Sequence, residues 1–200
     1  TYAPLMPEIT SGNILCFPGT QTALFAVMQA LVQAGDGVLI GDPYYATYEG
    51  VVQATGAHVQ PVPLRMDQGF ALQPDALEAA ITPGSRVLLL NTPHNPTGAV
   101  LTRETIDALG EICIKHNLWI VCDEVYENLT FGSAEFASPL SNPGLRARTI
   151  VTSSISKTFA ATGFRSGWTI GPLELSRRLL PISETMLFGN QPFIADMTEA

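Results

Sequence analysis

The sequence predicts an α/β fold: a three-layer α/β/α sandwich around a mainly parallel sheet with one antiparallel strand. Three observations predict it. Short aliphatic runs alternate along the chain with helical stretches long enough to cross over a sheet. Two of the runs, "SRVLLLNTP" and "LWIVCDE", are apolar without alternation, as parallel strands covered on both faces are. Polar residues gather directly after the runs, where open parallel sheets bind their ligands.

In chain order, "TQTALFAVMQALVQA" predicts a helix from Thr20 to Ala34, with Gly35 as its stop signal. "GVLIGDP" is a short buried strand that turns at Asp42-Pro43. "YYATYEGVVQATG" reads as a helix ending at Gly56, and "AHVQPVPL" as a strand that its prolines push to an edge. "QPDALEAAI" is a short helix with Asp75 in its first turn, and "SRVLLLNTP" is the next strand. "TRETIDALGEICIKHN" runs from an N-capping Thr102 to Asn117. "LWIVCDE" and "ARTIVTSSISK" are strands. "SGWTIGP" follows the second of these too closely for a crossover helix, so it is expected to run antiparallel to its neighbour. "LELSRRLLPISETML" is helical with a proline kink. Region 132–148, "GSAEFASPLSNPGLRAR", reads as a surface loop.

Composition excludes several classes. The chain has 200 residues, 46% of them apolar and 14% charged, as a globular domain with a large core does. A net charge of −8 argues against nucleic acid as a partner. No apolar run approaches the ~18 residues of a membrane span, and "TYAPLMPEIT" lacks the basic and apolar regions of a signal peptide. Cys16, Cys113 and Cys122 are far apart in apolar settings, which favours reduced, buried thiols in a cytoplasmic protein. With only His58, His94 and His116 beside them, no zinc site is expected.

The polar residues after the strands are Asp42 to Tyr45, Asn91 to Asn95, Asp123 with Tyr126, and Ser154 to Lys157. They are expected to converge on one crevice. "FPGTQTAL" opens the first helix. Gly19 permits close approach to the backbone, and the free N–H groups of Thr20 and Gln21 make an anion site, unless Thr20 is simply a helix cap. "NTPHNPTG" is either a stiff turn or a device that aims the Asn95 amide into the crevice. Asp123 in "LWIVCDEVY" could equally cap a helix or act as the metal-binding acid of a nucleotide hydrolase. The second needs G-x-x-x-x-G-K-[ST], which the chain lacks; it also lacks G-x-G-x-x-G after any strand and G-x-S-x-G. "SSISKTFAATGFRSGW" sets Lys157 at the end of a strand and Arg165 eight positions later, between Gly163 and Gly167. A lysine there is either solvated, as most are, or an amine used for covalent chemistry.

In combination, "HNPTG", "DEVY" and "SISK" with Arg165 beyond it resemble the pyridoxal-phosphate-dependent aminotransferases of classes I and II, the aspartate aminotransferase superfamily of fold type I. "NTPHNPTGAVLTRET", "LWIVCDEVYE" and "YATYEGVVQATGAHVQPVPLR" look most like the arginine–pyruvate transaminase branch. The resemblance implies that pyridoxal 5'-phosphate is the cofactor, and an amino acid and a 2-oxo acid the substrates, of a cytoplasmic homodimer without nucleic-acid or membrane partners. It implies that Lys157 binds the cofactor covalently and moves the substrate proton; desolvated among small residues, it would be readily neutral. Asp123 then pairs with the ring nitrogen, Asn95 and Tyr126 donate to the ring oxygen, and Tyr45 stacks on the ring. Gly19, Thr20, Gln21, Ser154 and Arg165 form the phosphate cradle, and the Asn95–Pro96 peptide is expected to be cis. Family chains are about twice this length, so residues 1–200 are read as the cofactor-binding large domain without N-terminal arm or C-terminal small domain, and with impaired turnover. "MLFGNQPF" is read as part of a dimer interface. Other chemistry on the same cofactor, a β-lyase or decarboxylase, and a non-catalytic sensor domain are the alternatives.

Overall fold

The computed structural model describes residues 2, 4–187 and 190–199. Seven strands form one sheet: β1 (Ile14–Phe17), β2 (Gly37–Asp42), β3 (His58–Pro63), β4 (Ser85–Asn91), β5 (Trp119–Asp123), β6 (Thr149–Ser154) and β7 (Gly167–Ile170). Their spatial order is β1-β7-β6-β5-β4-β2-β3. The pairings β2–β3, β2–β4, β4–β5 and β5–β6 are parallel. Only β7 is reversed, pairing antiparallel with both β1 and β6. The proline-bearing β3 lies at one edge, as expected.

The helices are α1 (Thr20–Leu31), α2 (Thr47–Gln53), α3 (Pro74–Ala80), α4 (Arg103–Lys115), α5 (Leu173–Leu187) and α6 (Pro192–Glu199). Alternate residues of each strand point to opposite faces, and that alternation builds two cores. Leu39, Leu88, Leu90, Ile120 and Val151 pack with Leu77 of α3 and Leu109 of α4. Val38, Ile40, Val87, Leu89 and Ile150 pack with Leu24 and Val27 of α1, Val52 of α2 and Leu179 of α5. This is the predicted three-layer sandwich. Each such fully buried aliphatic contributes about 1.5–3 kcal/mol through area removed from water.

Four expectations are corrected. β1 is a strand that sequence reading misses, because "ILCF" is four residues long and runs directly into the helix signal. α1 stops at Leu31 rather than Ala34, because Val32 turns extended and buried while Asp36 accepts a hydrogen bond from the Gln33 N–H at 3.0 Å. Gly35, with φ of 88°, closes that turn instead of the helix. α2 spans only Thr47–Gln53, since the residues after Pro43 are used to turn away from β2, and Gly56 lies beyond its end with φ of 80°. Region 132–148 is not wholly surface: Ala137, Leu140 and Leu145 are buried in the core beside α4 and β6, and 3-10 turns at Pro139–Ser141 and Arg146–Arg148 bracket them. α4 begins as predicted, with Thr102 Oγ1 accepting from the Thr105 N–H, and ends at Lys115, before Asn117. Pro181 lies inside α5 as predicted. "MLFGNQPF" includes residues 188 and 189, which lie outside the described residues.

Candidate active site

All the parallel strands end at one edge of the sheet, and a cavity of about 210 Å³ opens there. Loops after β1, β2, β4, β5 and β6 each send a side chain to it.

The loop after β1 supplies the N-terminus of α1. Gly19 is the N-cap, with φ of 91°, so Thr20 is the first helical residue rather than the cap. A side chain at Gly19 would run into the Arg165 guanidinium. Gly167 is equally constrained: a Cβ there would stand 2.7 Å from the Gly19 carbonyl carbon and 2.8 Å from the Thr20 nitrogen. Two glycines thus let the helix terminus, β7 and Arg165 close on one another. The first N–H groups of α1 have no partner within the helix, and its dipole favours an anion. Thr20 Oγ1 is buried without a hydrogen-bond partner. Gln21 lines the cavity; its side-chain carbonyl accepts from Thr47 Oγ1 at 2.9 Å, and its backbone N–H and side-chain NH2 remain as donors.

The loop after β6 carries Ser154, Ser156 and Lys157. Both serines are buried, and Ser154 Oγ accepts from the Ser156 N–H at 3.3 Å. Lys157 lines the cavity but is exposed, which corrects the expectation of a desolvated amine: it stands past the strand end, on the open side of the cleft. Arg165, in left-handed backbone with φ of 53°, reaches the carbonyls of Thr162 at 3.0 Å and Pro18 at 3.5 Å. Neither Lys157 nor Arg165 joins an ion pair among the described residues. Two cations, a helix N-terminus and the orphaned Thr20 hydroxyl make a cradle that fits a phosphate group.

β5 ends at Asp123, which is 5% exposed. Tyr48 donates to its Oδ2 at 2.8 Å, and the Val125 N–H to its Oδ1 at 3.2 Å. Burial pushes the carboxyl up to about 6, against the Tyr48 and Val125 hydrogen bonds and the Lys157 charge, which favour the anion. Tyr48 is itself buried, and that burial with the adjacent carboxylate keeps its hydroxyl protonated. Tyr45 is exposed at the cavity mouth and meets Tyr48 edge-on, with centroids 5.6 Å apart.

The loop after β4 is held by Asn91. Its amide donates to the Asp123 carbonyl at 2.9 Å, and its Oδ1 accepts from the Asn95 N–H at 2.7 Å. The Asn95–Pro96 peptide is cis, as expected, and so are Asp42–Pro43 and Thr92–Pro93. Asn95 Nδ2 donates to the Tyr126 hydroxyl at 3.4 Å, so both face the same cavity.

Thr20, Gln21, Tyr45, Asn95, Asp123, Tyr126, Ser154, Lys157 and Arg165 therefore line this cavity, with Gly19 beneath Arg165, whereas Asp42 to Tyr44 and Thr92 to His94, also expected at the crevice, do not line it: Thr92 is buried and His94 faces a neighbouring hollow. Sequence reading missed Tyr48 and Thr162, and placed Asn91 and Ser156 at the crevice without giving them a role. Tyr48 carries a signal in retrospect: it lies three residues after Tyr45, on the same side of a helical turn. The arrangement offers an amine, a buried carboxylate, an amide–hydroxyl pair and an anion cradle to one flat, anionic ligand.

The family described as aminotransferase class I and II matches residues 2–198. The arginine–pyruvate transaminase of Pseudomonas aeruginosa is 45% identical over 188 residues, which are 94% of this chain and 48% of that protein. A probable N-succinyldiaminopimelate aminotransferase of Mycobacterium tuberculosis is 41% identical over 183 residues, 90% of this chain and 46% of that one. Among solved structures, the N-succinyldiaminopimelate aminotransferase of Mycobacterium tuberculosis superposes with a TM-score of 0.93 at 37% identity, covering 100% of this chain and 53% of its own. An aspartate aminotransferase double mutant of Thermus thermophilus superposes equally, at 30% identity and 99% and 51% coverage. The chain spans about half the length of the curated relatives it matches. It belongs to the class I and II aminotransferases.

Proposed function

From that membership we propose that residues 1–200 form the cofactor-binding large domain of a pyridoxal-phosphate-dependent transaminase. It would move an amino group from an amino acid to a 2-oxo acid. The observation that carries this reading is the convergence of Lys157, Asp123, Asn95, Tyr126, Tyr45 and Arg165 on one cleft. When bound, pyridoxal phosphate supplies a ring that withdraws electrons from the carbon losing its proton.

The chain's own groups do the rest. Arg165, Thr20, Ser154 and the N-terminus of α1 over Gly19 and Gln21 hold the phosphate. Asp123, ionised above pH of about 6, keeps a proton on the ring nitrogen. Tyr48 fixes which way that carboxylate faces. Asn95 and Tyr126 donate to the ring oxygen, and Tyr45 covers the ring face. Lys157 Nζ would anchor the cofactor covalently and, once the substrate's amine has displaced it from that bond, would be free to take the proton from the substrate Cα.

The relative named for arginine and pyruvate favours a basic amino-acid donor and a short 2-oxo acid acceptor for this chain. The same reading makes the protein a cytoplasmic homodimer. Exposed Phe159 and Phe164, within the Lys157–Arg165 loop, support a second copy against this face. Free thiols at Cys16, Cys113 and Cys122 support a reducing compartment; Cys113 and Cys122 are buried as expected, whereas Cys16, on the short edge strand β1, is exposed. Among the described residues no helix is long and apolar enough to cross a membrane. The test supplies the protein and cofactor with 15N-labelled arginine and pyruvate, then with other donor–acceptor pairs, and follows the label. Labelled alanine supports the reading. Ammonia or carbon dioxide release without a labelled amino acid refutes it in favour of lyase or decarboxylase chemistry.

A further inference from the structure

The turn after β5 faces two ways. Asp123, Val125 and Tyr126 line the cleft. Glu124 and Glu127 do not; they are buried at 0% and 8% exposure. The Tyr2 hydroxyl lies 3.2 Å from Glu124 Oε2 and also touches Glu127 Oε2. Ser138 Oγ donates to Glu124 Oε1 at 2.7 Å, and Ser153 Oγ to Glu127 Oε1 at 3.3 Å. Neither glutamate joins an ion pair among the described residues. No group of three or more metal-ligating side chains is found there either.

Hydrogen counting decides what this cluster holds. A tyrosine hydroxyl owns one hydrogen. With both carboxylates ionised, one of the two contacts at Tyr2 would set lone pairs against lone pairs in the interior, a costly arrangement. We propose that the Glu124–Tyr2–Glu127 cluster retains one proton at neutral pH, on Glu124, and that it positions the turn bearing Asp123 and Tyr126. Glu124 Oε2–H donates to Tyr2 Oη, and Tyr2 Oη–H donates to Glu127 Oε2. Every oxygen facing Tyr2 is then matched to a hydrogen.

The surrounding groups place the proton. On β5, the Cys122 thiol and the Asp123 carboxyl precede Glu124 in sequence and are both buried. The N-terminal segment contributes Tyr2, the 3-10 turn contributes Ser138, and β6 contributes Ser153. At Glu124, burial dominates, and together with the Glu127 charge it outweighs the Ser138 hydrogen bond; the carboxyl is pushed up to about 8. Burial also raises Glu127, but there the Tyr2 and Ser153 hydroxyls favour the anion. The sign follows. A raised carboxyl supports the fold fully below the ordinary glutamate range, and that support is lost as pH rises through about 8.

The backbone links this to the cleft. The Glu124 N–H donates to the Thr152 carbonyl at 2.9 Å, the Glu127 N–H to the Glu124 carbonyl at 2.8 Å, and the Leu129 N–H to the Tyr126 carbonyl at 2.8 Å. Ionising Glu124 puts two anions behind this turn and loosens it.

Infrared spectra of the protein carrying 13C-glutamate test the proton directly, and need no cofactor. A protonated glutamate carbonyl band is expected at pH 7, titrating away near pH 8 and absent in Glu124→Gln. Amide exchange of residues 124–129, corrected for its intrinsic pH dependence, should step up over the same range in the wild type. It should stay flat in Glu124→Gln, whose amide donates to Tyr2 as the retained acid does. If that variant does not fold, Tyr2→Phe carries the test: it removes the acceptor of the Glu124 acid hydrogen, so the band must move to the higher frequency of a less hydrogen-bonded acid. No band at neutral pH overturns the retained proton. A band unchanged in the variants overturns its assignment. Exchange that rises equally in the wild type and Glu124→Gln overturns the positioning role.

Discussion

Replacing Tyr48 with Phe removes one oxygen from the wall behind the cofactor site and leaves the ring packed in the core of α1, α2 and the sheet. The lost group is the 2.8 Å donor to Asp123 Oδ2. A hydrogen bond to a charged group contributes about 1.5–3 kcal/mol. At about 1.36 kcal/mol per pH unit, its loss raises the Asp123 carboxyl by about one to two units above the value of about 6 that burial already imposes. The ionised carboxylate is the form that pairs with the ring nitrogen, so cofactor binding is lost as pH falls through the folded value. Affinity for pyridoxal phosphate, measured by fluorescence quenching from pH 5 to 9, should fall off below about pH 6 in the wild type. In Tyr48→Phe the acid limb should lie about one to two units higher. Titration of the free cofactor is common to both proteins and cancels in the difference. Superimposable acid limbs would refute the claim that Tyr48 sets the charge state of Asp123.

Arg165→Gln keeps the length for some contacts but loses the charge, so affinity for pyridoxal phosphate should fall about 10- to 150-fold with a shallower salt dependence; calorimetry at two ionic strengths checks both. Gly19→Ala forces a side chain onto the Arg165 guanidinium at φ of 91°, and should lower stability by about 1–3 kcal/mol in urea unfolding while weakening phosphate binding. Leu77→Ala empties a fully buried site between α3 and the sheet, and should cost about 2–5 kcal/mol in the same assay with cofactor affinity unchanged in the folded protein.

The parts of the fold legible in the sequence are those where one physical rule acts alone. Unbroken aliphatic runs at β4 and β5 announced parallel strands because both faces are covered. The short link before β7 announced its reversal because no crossover fits. Thr102 announced the start of α4 because its hydroxyl caps the helix. Features set by tertiary context were not legible. Val32 leaves the helix because the core takes its side chain, and Leu140 and Leu145 enter the core from a stretch whose prolines and glycines suggest only a loop. The same division holds at the site. Lys157, Asp123, Asn95 and Arg165 stand in recognisable local patterns. Tyr48 acts on Asp123 across 75 positions of sequence, and Tyr2 on Glu127 across 125, distances over which no local pattern extends.

The central claim is that Lys157 is the residue to which pyridoxal phosphate attaches. The chain has two lysines, and Lys115 is paired with Glu78 on the surface at 2.5 Å, which makes it an internal control. Borohydride reduction of the protein with its cofactor, followed by peptide mass analysis, reads the attachment site directly. The account predicts the cofactor mass on the peptide containing Lys157 and none on any peptide of Lys157→Ala. Label on Lys115, or equal labelling of the wild type and Lys157→Ala, would contradict it.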